Sequence, residues 1–152
     1  PVTSIGVYRD EIYVGGEFGA VYAETQTELP NINLLARWNP QRSEWAPFRA
    51  IDPYSRPNSR GSRGTIGIIN DMAASEDGLY IGGRFVFADG LARNNVVRFD
   101  DGIWYSLGNG VQGDYHSQVY SLVVHDSQLL VGGRFTQSGD DPNSYIAIWA
   151  EE

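Results

Sequence analysis

The sequence predicts an all-β protein assembled from three copies of one four-strand unit. Two observations carry this. A seven-residue pattern, apolar-x-apolar-Gly-Gly-x-Phe, occurs three times in the 152 residues. The composition, with 18 Gly, 9 Tyr and 4 Trp, suits many short strands joined by turns rather than a helical bundle.

The pattern reads Ile12-Tyr13-Val14-Gly15-Gly16-Glu17-Phe18, then Leu79-Tyr80-Ile81-Gly82-Gly83-Arg84-Phe85, then Leu129-Leu130-Val131-Gly132-Gly133-Arg134-Phe135, at spacings of 67 and 50 residues. Its surroundings repeat too. Ile5, Met72 and Leu122 stand ten residues before the first Gly, and Val7, Ala74 and Val124 stand eight before it. That period of two marks a strand with one packed face. Turns follow at Asp10-Glu11, Asp77-Gly78 and Ser127-Gln128, so each copy opens with a β-hairpin. The Gly-Gly pair is expected to mark a bulge or a close approach of backbone. A phosphate cradle would need a helix start after the glycines, and the sequence offers none.

Beyond each Phe comes a loop and a third strand ending in an aromatic: 34–38 with Trp38, 95–99 with Phe99 and 145–149 with Trp149. A polar turn leads to a fourth strand around Trp45 (44–48) and Trp104 (103–107), while the third copy stops before a fourth strand. The expected total is eleven strands, grouped four, four and three, with repeats at about 1–48, 66–108 and 117–152. Four antiparallel strands in about 40–50 residues is the size of a β-propeller blade. Such blades bury their faces only by stacking on neighbours. The aromatics just named, with Phe18, Phe85 and Phe135, are expected to fill the space between blades.

Propellers need about four to eight blades, and three leave raw edges. The expectation is therefore a segment of a longer propeller, two copies completing a six-blade ring, or stacking on other subunits. The start at Pro1 instead of Met favours a piece of something larger.

Composition narrows partners. The formal charge is −8, from 19 acidic residues against 11 basic, and all the basic residues are Arg. An acidic chain is a poor match for nucleic acid. Absence of Cys excludes disulfides and thiolate metal sites. No apolar run approaches the roughly 18 residues of a membrane-spanning helix. No Asn-x-Ser/Thr acceptor for N-glycosylation occurs.

The repeats resemble the Kelch-like, galactose-oxidase-type repeats of extracellular proteins. The second carries the resemblance best, through Phe99-Asp100-Asp101-Gly102 and Trp104-Tyr105-Ser106-Leu107-Gly108. Similar repeats occur in fungal cell-polarity marker proteins and in large bacterial secreted proteins. The resemblance implies a propeller fold and an extracellular or cell-surface location. The first repeat departs from it with Trp38-Asn39-Pro40, and the third ends in Trp149-Ala150-Glu151-Glu152. Nothing matches copper-oxidase ligands, so no catalytic residue carries over.

Candidate sites fall in the non-repetitive segments, where repeat folds place function. Segment 19–33 is rich in Glu and Thr. Segment 49–65 holds Arg49, Arg56, Arg60 and Arg63 around Tyr54, a basic loop able to dock a carboxylate, a sulfate or an acidic neighbour. A solvated loop is its plain alternative. Asp140, Asp141 and Asn143 offer oxygens for Ca²⁺ without EF-hand spacing, and Asp and Asn are ordinary turn residues. His116 and His125 lack a third ligand pattern. Tyr8, Tyr22, Tyr54, Tyr105, Tyr115 and Tyr120 are available for stacking on sugars, or for strand packing. No catalytic constellation stands out. The sequence reads as a non-catalytic structural or protein-interaction module. A glycan-binding propeller completed by oligomerisation is the alternative, and a propeller segment of a secreted enzyme the weaker one. No cofactor is expected beyond the Ca²⁺ option.

Overall fold

The computed structural model describes residues 1–18, 34–46, 51–52, 67–88, 91–142 and 144–150, with 51–52, 87–88 and 91–92 placed as strand backbone only. The chain is all-β, with no helix among the described residues. Strands β1 (Val2–Tyr8), β2 (Glu11–Gly16), β3 (Leu35–Asn39) and β4 (Glu44–Ala46) form a first antiparallel sheet in chain order. After β5 (Ile51–Asp52), a second sheet takes β6 (Ile68–Ala74), β7 (Leu79–Arg84), β10 (Val96–Asp100) and β11 (Ile103–Ser106). The third takes β13 (Gln118–His125), β14 (Gln128–Arg134) and β16 (Ile146–Ala150). The expected grouping of four, four and three is what forms.

Five two-residue strands were not expected. Strands β8 (Phe87–Ala88) and β9 (Leu91–Ala92) make a hairpin in the loop after the second Gly-Gly strand, and β5 pairs with β8. Strand β12 (Val111–Gln112) pairs with β15 (Gln137–Ser138). Segment 49–65 thus contributes one strand, tying its start to the second repeat. Runs of two residues carry no period for a sequence to display.

The three main sheets share local detail. In each, the first strand is bulged opposite the Gly-Gly pair, at Val2/Ser4, Ile69/Asp71 and Val119/Ser121. The extra residues are Thr3, Asn70 and Tyr120. The second glycine of each pair has no room for a side chain: a Cβ on Gly16, Gly83 or Gly133 would run into the carbonyl oxygen of Pro1, Ile68 or Gln118. Space, not a left-handed backbone, demands glycine there.

The third strands begin one residue later than the pattern predicts. Leu34, Asn95 and Tyr145 adopt φ of 65, 69 and 71° and so leave the extended ladder. Each clamps the preceding strand instead. Its N–H donates to the Phe carbonyl (Leu34 to Phe18, 2.9 Å; Asn95 to Phe85, 2.9 Å; Tyr145 to Phe135, 3.3 Å). Its carbonyl accepts from the second Gly N–H at 3.0, 2.9 and 3.0 Å. The first and third hairpin turns also sit one residue earlier than expected, at Arg9-Asp10 (φ 49 and 61°) and Asp126-Ser127 (φ 49 and 57°). Two positive φ values in a two-residue loop give the twist that strands favour.

Two apolar cores separate the sheets. Between the first and second lie Tyr13, Leu35, Ile69, Phe85, Phe99 and Trp104, all buried. Between the second and third lie Tyr80, Val96, Val119, Leu129, Val131 and Phe135. Phe99 meets Tyr13 at 6.1 Å and Trp104 at 5.0 Å between ring centroids. Phe85, Phe99 and Trp104 lie buried in the first core and Phe135 in the second, on which Trp149 packs partly buried.

Candidate functional site

The feature with the most chemistry is the junction between sheets, and it occurs twice. The first strands β1, β6 and β13 lie side by side in series. At the first junction Ile69 of β6 seats on Gly15, where a Cβ would lie 2.5 Å from the Ile69 Cγ2. At the second, Val119 of β13 seats on Gly82 in the same way, 2.6 Å from its Cγ1. The first glycine of each pair is therefore a socket for a β-branched residue of the next sheet.

Polar groups freed by the bulge close each junction. Thr3 Oγ1 donates to the Ile69 carbonyl. Asn70 Nδ2, at the equivalent position, donates to the Val119 carbonyl at 2.6 Å. Asp71 Oδ2 accepts from the Leu122 N–H at 2.8 Å. A bulge re-aims one side chain out of its own ladder, and here it reaches across to the next sheet. Hairpin turns add a link, with Tyr8 Oη donating to Asp100 at 2.6 Å and Arg9 paired to Asp100 at 2.8 Å. Tyr8 is thus a buried junction residue, not an exposed platform for sugar. Sequence reasoning did not single out Thr3, Asn70 or Asp71. The readable signal was the apolar spacing of three, not two, in Val2–Ile5, Ile69–Met72 and Val119–Leu122.

Both end faces of the series are uncovered among the described residues. On the first sheet Val2, Ile5 and Val7 are 54, 65 and 63% exposed, although the counterparts of Val2 (Ile69 and Val119) and of Ile5 (Met72 and Leu122) are buried. Trp38 and Trp45, in edge contact at 5.3 Å, are half-buried on this sheet, as is Phe18. On the third sheet a hollow of about 200 Å³ is lined by Leu122, Val123, Leu130, Val131, Gly132 and Ile146. A Cβ on Gly132 would meet nothing nearer than the Ser121 carbonyl at 3.9 Å, so this third socket is empty.

A cleft of about 370 Å³ opens between the second and third sheets, lined by Tyr80, Tyr105 and Trp149 with Asp77 and Arg98. Arg98 pairs with Asp77 at 3.5 Å and lies 4.2 Å from the Tyr105 ring centroid. Tyr80 Oη donates to Asp77 at 3.1 Å. A matching carboxylate–Tyr–Arg set joins Glu11, Tyr13 and Arg37 in the first sheet. At the first junction Trp104 covers Phe99. At the second, Trp149 has no fourth-strand aromatic over it among the described residues, and the cleft occupies that place.

Of the other sequence candidates, Arg49, Arg56, Arg60, Arg63, Tyr22, Tyr54 and Asn143 lie outside the described residues. Asp140 and Asp141 are exposed, and Asp140 Oδ1 accepts from Asn109 Nδ2 at 2.7 Å. No group of three or more His, Asp or Glu side chains is arranged to hold a metal among the described residues. His116 sits in the turn before β13, and His125 ends that strand beside Asp126 at 3.2 Å. Tyr115 and Tyr120 are 81 and 54% exposed. No helix among the described residues is long and apolar enough to cross a membrane.

No protein-family model matches the chain. It is similar to the Polarized growth protein L1 of Phoma sp. (strain ATCC 20986 / MF5453), at 36% identity over 73 residues. That match takes in 48% of this chain and 5% of the relative, so the chain spans about one twentieth of that protein's length.

Proposed function

We propose that the chain is a run of β-propeller blades serving as a non-catalytic structural or protein-interaction module of a larger extracellular or cell-surface protein or assembly. The observation that carries this is the uncovered pair of end faces. Two junctions of one design stack three sheets in series, and each end of the series presents the half-junction that a further sheet would complete. Kelch-like identity of the repeats is part of the same reading, and the likeness to a polarized growth protein supports it. Native mass spectrometry of the material from its source tests the reading. The end faces should be found covered, by further sheets in a longer polypeptide or by bound chains. A stable native monomer of 16.8 kDa with both faces open to solvent would overturn it.

The cleft favours a second reading, glycan binding, because Tyr80, Tyr105 and Trp149 beside Asp77 and Arg98 combine aromatic faces with polar groups. Binding to a glycan array that disappears in Trp149→Ala would support it. An array without hits would dispose of it. A propeller segment of a secreted enzyme, with its catalytic groups elsewhere, is the remaining and weaker proposal.

A further inference from the structure

We infer that the two end faces are made for each other, and that two copies of this chain join head to tail, β1 of each on β14 and β16 of the other. The inference rests on reading the sheets as propeller blades, and it names the occupant of the open faces.

The register of the repeats carries it. Within the chain the same junction forms twice, with Ile69 in the Gly15 socket and Val119 in the Gly82 socket. Met72 and Leu122 stand beside those sockets, at 3.4 and 3.1 Å from the glycine Cβ positions. In repeat register Val2 corresponds to Ile69 and Val119, and Ile5 to Met72 and Leu122. Val2 and Ile5 are exposed, and Gly132 is the socket without an occupant among the described residues. One end thus carries the knob and the other the hole, in the chemistry and spacing that the two internal junctions already use. Around the hole, Val123 and Ile146 are 52 and 65% exposed and Leu130 is half-buried, so the contact is apolar. The position of Thr3 and Asn70 is taken by Tyr120, so the short polar link of the internal junctions is replaced here. Two chains joined at both ends give six sheets, within the four to eight of closed propellers. A head-to-tail contact that closes makes a ring instead of a filament.

Sedimentation velocity on the purified chain tests this. Wild type should show a concentration-dependent species at twice 16.8 kDa. Gly132→Ile fills the socket, and the Val2→Asp/Ile5→Asp double variant charges the knob. Each alone should be monomeric, with an unchanged circular dichroism spectrum, because among the described residues the Val2 and Ile5 side chains and the Gly132 Cβ position face open space. Mixing the two variants should restore a 1:1 dimer, since each still offers one intact face. Gly132→Ala, the gentlest change, should weaken the wild-type dimer by at least tenfold. A chain that stays monomeric at all concentrations, or a mixture that fails to associate, overturns the inference. If the purified chain is monomeric but the native material is larger, the occupant is another sheet and the module reading stands. If both are monomeric, the module reading falls too.

Discussion

Glycine acts at the scale of single residues, and not every glycine acts alike. Gly83 faces the Ile68 carbonyl with no room for a methyl group, whereas Gly132 looks into open space. Gly83→Ala should destabilise by about 1–3 kcal/mol, the usual range for overpacking. At dilutions where wild type is monomeric, Gly132→Ala should stay within about 0.5 kcal/mol of it. Urea midpoints measure both, and equal losses would contradict the socket geometry. Tyr13 supplies a second single-residue effect. Burial, and then the Glu11 carboxylate, push its hydroxyl up to about 12, against the opposing pull of Arg37. The unfolded phenol ionises near pH 10. The fold therefore favours the neutral phenol, and this stabilisation is complete below pH 10 and lost as pH rises toward 12. The urea midpoint of wild type should fall across that window. Tyr13→Phe should fall less steeply, and an identical slope would assign the loss to other groups.

Among elements, the third strands show how one position can govern an entry. Leu34, Asn95 and Tyr145 all take the left-handed conformation that starts the strand. Asn is suited to it and here also uses its side chain: Oδ1 accepts from the Phe85 N–H at 3.1 Å and Nδ2 donates to the Val111 carbonyl at 2.9 Å. Tyr145, 64% exposed, gains no such bonds. Tyr145→Asn should therefore raise stability by about 0.5–1 kcal/mol, read as a higher thermal midpoint without change in the circular dichroism spectrum. A lower midpoint would mean that the Tyr145 ring contributes more than its backbone strain costs. The position was hidden in the sequence because Leu, Asn and Tyr share no side-chain property. What they share is a φ value, set by the need to return the chain to the Gly-Gly strand.

For the whole molecule, electrostatics and burial pull in opposite directions. Two chains of formal charge −8 repel each other, while the end faces attract through apolar area that salt does not screen. Raising ionic strength from about 0.05 to about 0.5 M should therefore strengthen dimerisation several-fold. Sedimentation equilibrium reads the constant, and dissociation by salt would point to an ionic contact instead.

The sequence alone determined the class and the grouping of strands. Alternation of apolar residues and three Gly-Gly-x-Phe copies are local patterns, and local patterns set strand and turn. It also marked the close approach of backbone, because two adjacent glycines in a strand leave room for a neighbouring chain that side chains would exclude, while the bulge opposite them stayed hidden. The tertiary structure alone decided which glycines are sockets, which aromatics are covered and which faces are left open. Gly15, Gly82 and Gly132 read identically along the chain, yet among the described residues the first two are filled and the third is not. What fills a socket is a residue 37 to 54 positions away. That contact is fixed by how whole sheets stack, a relation between elements that no local pattern encodes.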